Sequence, residues 1–285
     1  MVFPSPLRYP GGKKKLSSYV EKIVLENNIQ GGTYVEPFAG GASIALDLLF
    51  KGLVNQVIIN DLDRSIYAFW YSVLYRHDEL SQLIMKTPIN MHSWNLQKEI
   101  QEKKEEADLL ELGFSTFFLN RTNRSGIIRG GVIGGKDQKG DWKMDVRFNK
   151  EELIQRIDRI ANAADQIEVY NEDAICFITS IHNQINDHTL VYFDPPYYNQ
   201  GAALYSNYYT PIDHANLARF ILQLDCKWML TYDYTDEVVA LYHEAKKYVL
   251  SLCYTAQRKT RGNEMIAFSP KLVTLSGRFS SITVK

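Results

Sequence analysis

The chain has 285 residues, 45% of them hydrophobic and 23% charged, and a formal net charge of −1. It is long enough for about two ordinary domains, or one domain with a large insertion, and apolar enough to bury a real core. Three distant cysteines, Cys176, Cys226 and Cys253, exclude a disulfide framework, and six scattered histidines give no metal-ligand spacing, so no metal site is expected.

All three cysteines have apolar neighbours in sequence and are expected to be buried structural thiols. The longest apolar stretch, Ala42 to Phe50, is interrupted by Asp47 and is too short for a bilayer. Met1 to Pro4 lack the basic and apolar regions of a signal peptide, so a cytoplasmic protein is expected.

Leu16 to Asn28 reads as a helix, with Leu16, Tyr19, Val20, Ile23 and Val24 on one face and Gly31-Gly32 ending it. Thr33 to Glu36 reads as a short strand, Pro37 to Gly41 as a turn and Ala42 to Phe50 as a helix. Gln56 to Asn60 comes next as a buried strand. This β-turn-α-β unit has the features of a nucleotide-binding α/β sheet. Residues 63 to 118 look helical: Ser65 to Tyr75, Asp78 to Lys86 and the charged run Trp94 to Leu112. Glycine and charge dominate Gly130 to Phe148, where Gly134-Gly135 and Lys139-Gly140 predict an exposed β-hairpin. Glu151 to Ala164 returns to helix.

The α/β pattern then resumes. Ile167 to Tyr170, Thr189 to Phe193 and Lys227 to Thr231 read as strands, and Ala174 to Ile181, Asp213 to Leu224 and Glu237 to Ala245 as helices. Strands are expected again near Tyr248 to Tyr254, Met265 to Phe268 and Ser281 to Val284. The division expected is one catalytic α/β domain, residues 1–62 and 165–285, interrupted by a mainly helical insertion at 63–164.

Charge is unevenly spread. From Asn120 to Lys150 there are eight basic residues against three acids, while Glu99 to Glu111 is mostly acidic. A basic stripe on a near-neutral chain is the footprint of a phosphate-binding surface; a solvated face is the plainer alternative.

Three strings carry chemistry. Asp194-Pro195-Pro196-Tyr197 directly succeeds the apolar strand Leu190 to Phe193. In open α/β sheets ligands bind beyond the carboxyl ends of strands, and two prolines with fixed φ and no N–H freeze the turn. Acceptors held there suit an aromatic amino group, whose delocalised lone pair must be localised before it attacks an electrophile. Tyr197 offers a ring face for an extruded base. The second string is Val35 to Ser43, with Glu36, Pro37, Phe38, Gly40 and Gly41. Small residues there let backbone approach a ligand, and Asp61 ends the next strand, where an acid suits ribose hydroxyls. No G-x-G-x-x-G occurs, which disfavours a nicotinamide dehydrogenase. The third is Arg8-Tyr9-Pro10-Gly11-Gly12-Lys13. It lacks the preceding strand, the spacing and the hydroxyl residue of a P-loop, so ATP is not expected.

Together and in this order the strings resemble the class alpha, Dam-type DNA adenine methyltransferases, over nearly the whole chain. The resemblance implies a Rossmann-like sheet that binds S-adenosylmethionine, an inserted DNA-recognition domain, and methylation of a flipped adenine at N6 in double-stranded DNA. By that resemblance Tyr9, Gly12, Lys13, Glu36, Pro37, Phe38, Gly40, Gly41, Asp61, Asp173, Ala174 and Asp194 would hold the cofactor. Asp194, Pro195, Pro196 and Tyr197 would be catalytic. The segment Asn120 to Arg129 resembles the family's DNA-contacting segment, which makes Arg8, Asn120, Arg121, Asn123, Arg124, Ser125 and Arg129 candidate DNA contacts, with Lys136 and Lys139 in the adjoining hairpin. Arg124 departs from the pattern: some relatives carry an aromatic residue there that enters the base stack.

Tyr198, Tyr205, Tyr208 and Tyr209 are candidates for shaping the base pocket or simply for packing, and Tyr232-Asp233-Tyr234 falls on the same sheet edge. Arg258 to Glu264 reads as a basic loop, for DNA backbone or for solvent. The implied setting is a monomer in a bacterial or phage-infected cell, with a cognate restriction endonuclease as a candidate partner. The rivals are methylation of RNA or another amino group, and a DNA-binding protein without turnover.

Overall fold

The computed structural model describes residues 4–8, 14–198, 209–256 and 258–274. A seven-stranded sheet organises them. Its strands are β1 (Thr33–Glu36), β2 (Gln56–Asn60), β3 (Ile167–Tyr170), β4 (Thr189–Phe193), β5 (Lys227–Asp233), β6 (Lys246–Ala256) and β7 (Arg258–Phe268). Their order is β3-β2-β1-β4-β5-β7-β6. Neighbours from β3 to β5 are parallel, and β7 runs antiparallel to both β5 and β6. The sequence explains this directly. β2 and β4 read QVIIN and TLVYF, continuous apolar runs buried along almost their whole length, as strands covered on both faces must be.

Two cores form, one on each face. Val35, Ile58, Val191 and Phe193 pack under α8 (Ala174–Ser180), α9 (Pro211–Gln223) and α10 (Asp236–Leu241), through Phe177, Leu217 and Val238. Tyr34, Val57, Ile59 and Tyr192 face the opposite side, where α1 (Lys14–Glu26) and α2 (Ser43–Phe50) contribute Leu16, Val20, Ala45 and Leu48. This second core runs on without a break into the insertion.

The insertion comprises α3 (Arg64–Tyr75), α4 (His77–Lys86), α5 (Met91–Glu102), α6 (Leu109–Thr122) and α7 (Lys150–Ala161). Its axis is α6, buried over most of its length. Gly113 permits this. A Cβ there would lie 2.5 Å from the Ala68 carbonyl, so only glycine lets α3 and α6 approach so closely. Phe69 then stacks on Phe117 at 6.0 Å, an arrangement whose truncation costs about 3–5 kcal/mol.

Several expectations are corrected. The run Trp94 to Leu112 is two helices, because the Asp108 carboxylate accepts from Leu110 N–H at 2.8 Å and starts a new one. Residues 130–148 form no hairpin. They are turns closed by a short 3-10 helix, Met144–Arg147, with one isolated bridge between Asn123 and Val132. Positive φ at Gly134, Gly135 and Gln138 breaks any ladder, and the Gln138 amide takes over the bonding. It donates to the carbonyls of Ile133 and Gly135, both at 2.7 Å, and accepts from Met144 N–H at 3.0 Å. Arg258 to Glu264 is strand, not loop, paired throughout with β6. Cys176 is exposed and Cys226 buried; the Cys253 side chain and Ser281 to Val284 lie outside the described residues. No helix among the described residues is long and apolar enough to cross a membrane.

Candidate active site

Because β1 to β5 are parallel, their carboxyl ends line one edge of the sheet. Glu36, Asn60-Asp61, Asp194 and Asp233 all fall there.

The Asp-Pro-Pro-Tyr turn is fastened from β5 and β7. The Thr231 hydroxyl donates to Asp194 Oδ1 at 2.8 Å and lies 2.7 Å from the Tyr192 hydroxyl. Tyr197 donates through its hydroxyl to Glu264 Oε1 at 2.8 Å, and Tyr198 N–H donates to Asp233 Oδ1 at 2.9 Å. Pro195 is buried, while Asp194, Pro196 and Tyr197 are half-buried. Behind the turn, the buried His214 ring on α9 lies 4.7 Å from the Tyr198 ring and 5.5 Å from that of Tyr209. Its Nδ1 bonds the Tyr232 hydroxyl. Burial lowers the His214 pKa, so the ring is held neutral. Sequence reasoning missed Thr231, His214 and Glu264. A hydroxyl inside a buried strand and an acid midway along β7 were the available signals.

The loop after β1 is shaped for close approach. Gly40 and Ala42 both have φ of 46°, and Trp70 of α3 donates to the Gly40 carbonyl at 2.9 Å. Pro37, Gly40 and Gly41 are buried, and Phe38 meets the Tyr209 ring at 6.0 Å. Glu36 is 5% exposed and accepts from the Tyr34 hydroxyl at 3.0 Å. Burial raises its pKa to about 8; the Tyr34 bond opposes the shift and the Asp194 charge adds to it. Asp61 accepts Gly40 N–H and Asp63 N–H, each at 2.9 Å. Burial, then the Asp63 charge, raise its pKa to about 7. Asp173 caps α8, accepting Ile175 N–H at 2.9 Å, with Ala174 buried beside it. Asn60 was also missed. Fully buried, it donates to the carbonyls of Pro37 and Glu172, both at 3.0 Å, and accepts Glu172 N–H at 2.9 Å. It thus ties the β1 and β3 loops together. Tyr9, Gly12, Lys13, Tyr205 and Tyr208 lie outside the described residues.

This edge fits S-adenosylmethionine. The carboxylates Glu36, Asp61, Asp173 and Asp194 suit ribose hydroxyls, an adenine amino group and a sulfonium.

The candidate DNA contacts divide. Arg124, Ser125, Arg129, Lys136 and Lys139 are exposed or half-exposed. Asn120 and Asn123 are not, which corrects the expectation that they touch DNA. Asn120 accepts Arg8 N–H and donates to the Arg8 carbonyl, both at 2.7 Å, and donates to the Gly126 carbonyl at 2.9 Å. Asn123 accepts from Trp94 Nε1 at 2.7 Å and donates to the carbonyls of Ile127 and Ile128 at 3.0 and 2.9 Å. Both amides are consumed in shaping the 124–129 loop. Arg121 is half-buried, donating to the carbonyls of Arg147 and Pro6 at 2.7 and 3.3 Å. Burial, with Arg8 and Arg156 nearby, lowers its pKa to about 9. Arg8, distant in sequence, therefore joins the insertion's arginine cluster, docked where a Cβ on Gly126 would lie 2.2 Å from its carbonyl.

A parallel sheet in this order, closed by an antiparallel pair and carrying an Asp-Pro-Pro-Tyr turn at its carboxyl edge, is that of a methyltransferase using S-adenosylmethionine. The particular family is given by residues 9–256, which match the profile of the D12 class N6 adenine-specific DNA methyltransferases. The chain belongs to that family, and its activity is S-adenosylmethionine-dependent methylation of adenine N6 in DNA. Among characterised relatives, it is 25% identical over 261 residues to the type II methyltransferase M.MjaIII of Methanocaldococcus jannaschii, covering 84% of this chain and 87% of the relative. Among solved structures, it aligns with a SAM-dependent methyltransferase from Agrobacterium tumefaciens at 10% identity and a TM-score of 0.41. That alignment covers 90% of this chain and 62% of the other.

Proposed function

We propose that Asp194 and the Pro195 carbonyl are the acceptors that activate the adenine amino group, and that residues 63–164 recognise the target in double-stranded DNA. S-adenosylmethionine supplies an electrophilic methyl group on sulfur. Asp194 and the Pro195 carbonyl accept from the two N6–H bonds and localise the nitrogen lone pair. As the N–C bond forms the C–S bond breaks, giving S-adenosylhomocysteine. The N6 proton is lost afterwards to water, because the methylated amino group is then strongly acidic and needs no strong base. Tyr197 stacks on the extruded base. Glu36, Asp61 and Asp173 orient the donor, and the exposed arginines and lysines of the insertion hold the duplex. A monomer acts alone in this scheme; a partner endonuclease would share only the target sequence.

The observation that carries this reading is the pinning of Asp194 by Thr231 at 2.8 Å on the edge that also bears Glu36 and Asp61. DNA from cells expressing the protein is sequenced for modified bases, beside an Asp194→Ala control. N6-methyladenine at one short motif, absent from the control, is the expected result. Methylation that persists in Asp194→Ala overturns the mechanism, and RNA methylated in preference to duplex DNA overturns the substrate assignment.

A further inference from the structure

Four tryptophans are present, and three are interior: Trp70, Trp94 and Trp228 are 1%, 7% and 1% exposed. Trp142 is 69% exposed. An indole in water is a large apolar surface left unburied. The loop that carries it is nonetheless closely determined. Trp142 sits between the Gln138-centred turn and the buried Met144, and Lys143 Nζ donates to the Gln138 carbonyl at 2.6 Å. A Cβ on Gly134 would lie 2.7 Å from the Trp142 carbonyl, so the two backbones touch. The loop is joined to the arginine segment as well. Arg124 N–H donates to the Gly131 carbonyl and Ile133 N–H to the Thr122 carbonyl, both at 2.9 Å. Exposed Lys139, Lys143 and Arg147 flank the indole in sequence, interleaved with exposed Asp137, Asp141 and Asp145, and exposed Val146 lies four residues on.

We infer that Trp142 is a DNA-contacting residue, presented by this fixed loop to stack on a base left unstacked when the target adenine leaves the substrate duplex, beside the exposed lysines and arginine of the same segment. An exposed aromatic ring in a loop that also carries exposed lysines and an arginine offers a base a π face and its phosphates positive charge. The inference rests on the insertion being the DNA-recognition surface.

Trp142 is the one indole of the four open to solvent, so its fluorescence reports the contact directly. The experiment uses the full chain, acrylamide as quencher, and a short duplex containing a sequence found methylated in cells. The expected result is that duplex shields the indole in the wild type, and that the shielded signal is missing from Trp142→Phe. Trp142→Ala should bind the duplex about tenfold or more weakly, on the scale of one lost base stack, with S-adenosylmethionine affinity unchanged and Trp142→Phe recovering most of the loss. An indole equally open to acrylamide with and without bound duplex overturns the inference, as does Trp142→Ala with wild-type DNA affinity. Shielding that grows with protein concentration without DNA assigns the surface to a second copy of the chain and overturns it too. Failure of the recognition reading looks different: charge-removing substitutions at Arg129 and Lys139 would then leave duplex binding intact.

Discussion

The sheet's carboxyl edge and the helical insertion treat their polar residues in opposite ways. At the edge, Glu36, Asp61 and Asp194 stand where parallel strands end and fall along one line, each braced by a neighbour's N–H or O–H. In the insertion, equally polar Asn120 and Asn123 turn inward and spend their amides on backbone. A polar residue at the end of a parallel strand has its place dictated by sheet geometry. At the end of a helix that leads into a loop it is equally able to serve the loop, because unpaired backbone groups there need partners. The place of a polar residue is therefore legible from sequence in the first setting and ambiguous in the second.

The largest expected effect tests the edge. Asp194→Ala should lower kcat by about 10²–10³-fold, the scale of losing one preorganised polar group at a reacting centre, in methyl-transfer assays with saturating DNA. Thr231→Val should lower it less, because the carboxylate remains but loses its brace. Equal rates for Thr231→Val and wild type would break the claim that β5 positions the acid.

Next is Asn60→Ala, which strands two carbonyls and an N–H inside the protein. It should cost about 1–3 kcal/mol in thermal unfolding and weaken S-adenosylmethionine binding measured by calorimetry. Unchanged cofactor affinity would leave Asn60 a purely structural staple.

Asn123→Ala against Arg129→Ala sharpens the comparison itself. Asn123→Ala should lose about 1–3 kcal/mol of stability, and DNA affinity with it, because the Trp94 N–H and two carbonyls lose their partner. Arg129→Ala, at the surface, should change stability by less than about 0.5 kcal/mol while weakening duplex binding. An unfolding scan and a binding titration on both proteins decide it.

The remaining effect is on pH. Glu36 is raised to about 8 by burial, so the folded state keeps this proton when the unfolded chain has released it. Its stabilising contribution is complete below the unfolded carboxylate value, about 4.3, and is lost as pH rises through about 8. Asp61, raised to about 7, acts in the same direction. The cofactor-free protein should therefore melt progressively lower over that range, and Glu36→Gln should flatten the trend. A cationic sulfonium favours the ionised acids, so S-adenosylmethionine should bind more tightly as pH rises through the same window.

Much of the catalytic half was legible. The apolar runs of β2 and β4 match their expected boundaries residue for residue, since a strand buried on both faces has few other sequences open to it. The Asp-Pro-Pro-Tyr turn and the glycine loop were placed on the correct edge for the same topological reason. The supports were not legible. Asn60, Thr231 and His214 act on partners 23 or more, 37 and 18 residues away, and nothing local distinguishes such a residue from any other buried polar group. The hairpin expected at 130–148 failed because glycine pairs specify a turn but not a returning strand. Here the Gln138 amide captured the backbone groups that a second strand would have used.

By itself the sequence determined the α/β alternation, the strand ends that carry acids, and the strings that mark an adenine methyltransferase, because these depend on contiguous residues and on the one chirality open to parallel strands. Only the tertiary structure decided which polar residues stay at the surface and which face inward. It docked Arg8 against Asn120 and the 124–129 loop, and left Trp142 in water while burying the other three indoles. Burial and hydrogen-bond partnership across a hundred residues are properties of packing, and no local pattern encodes them.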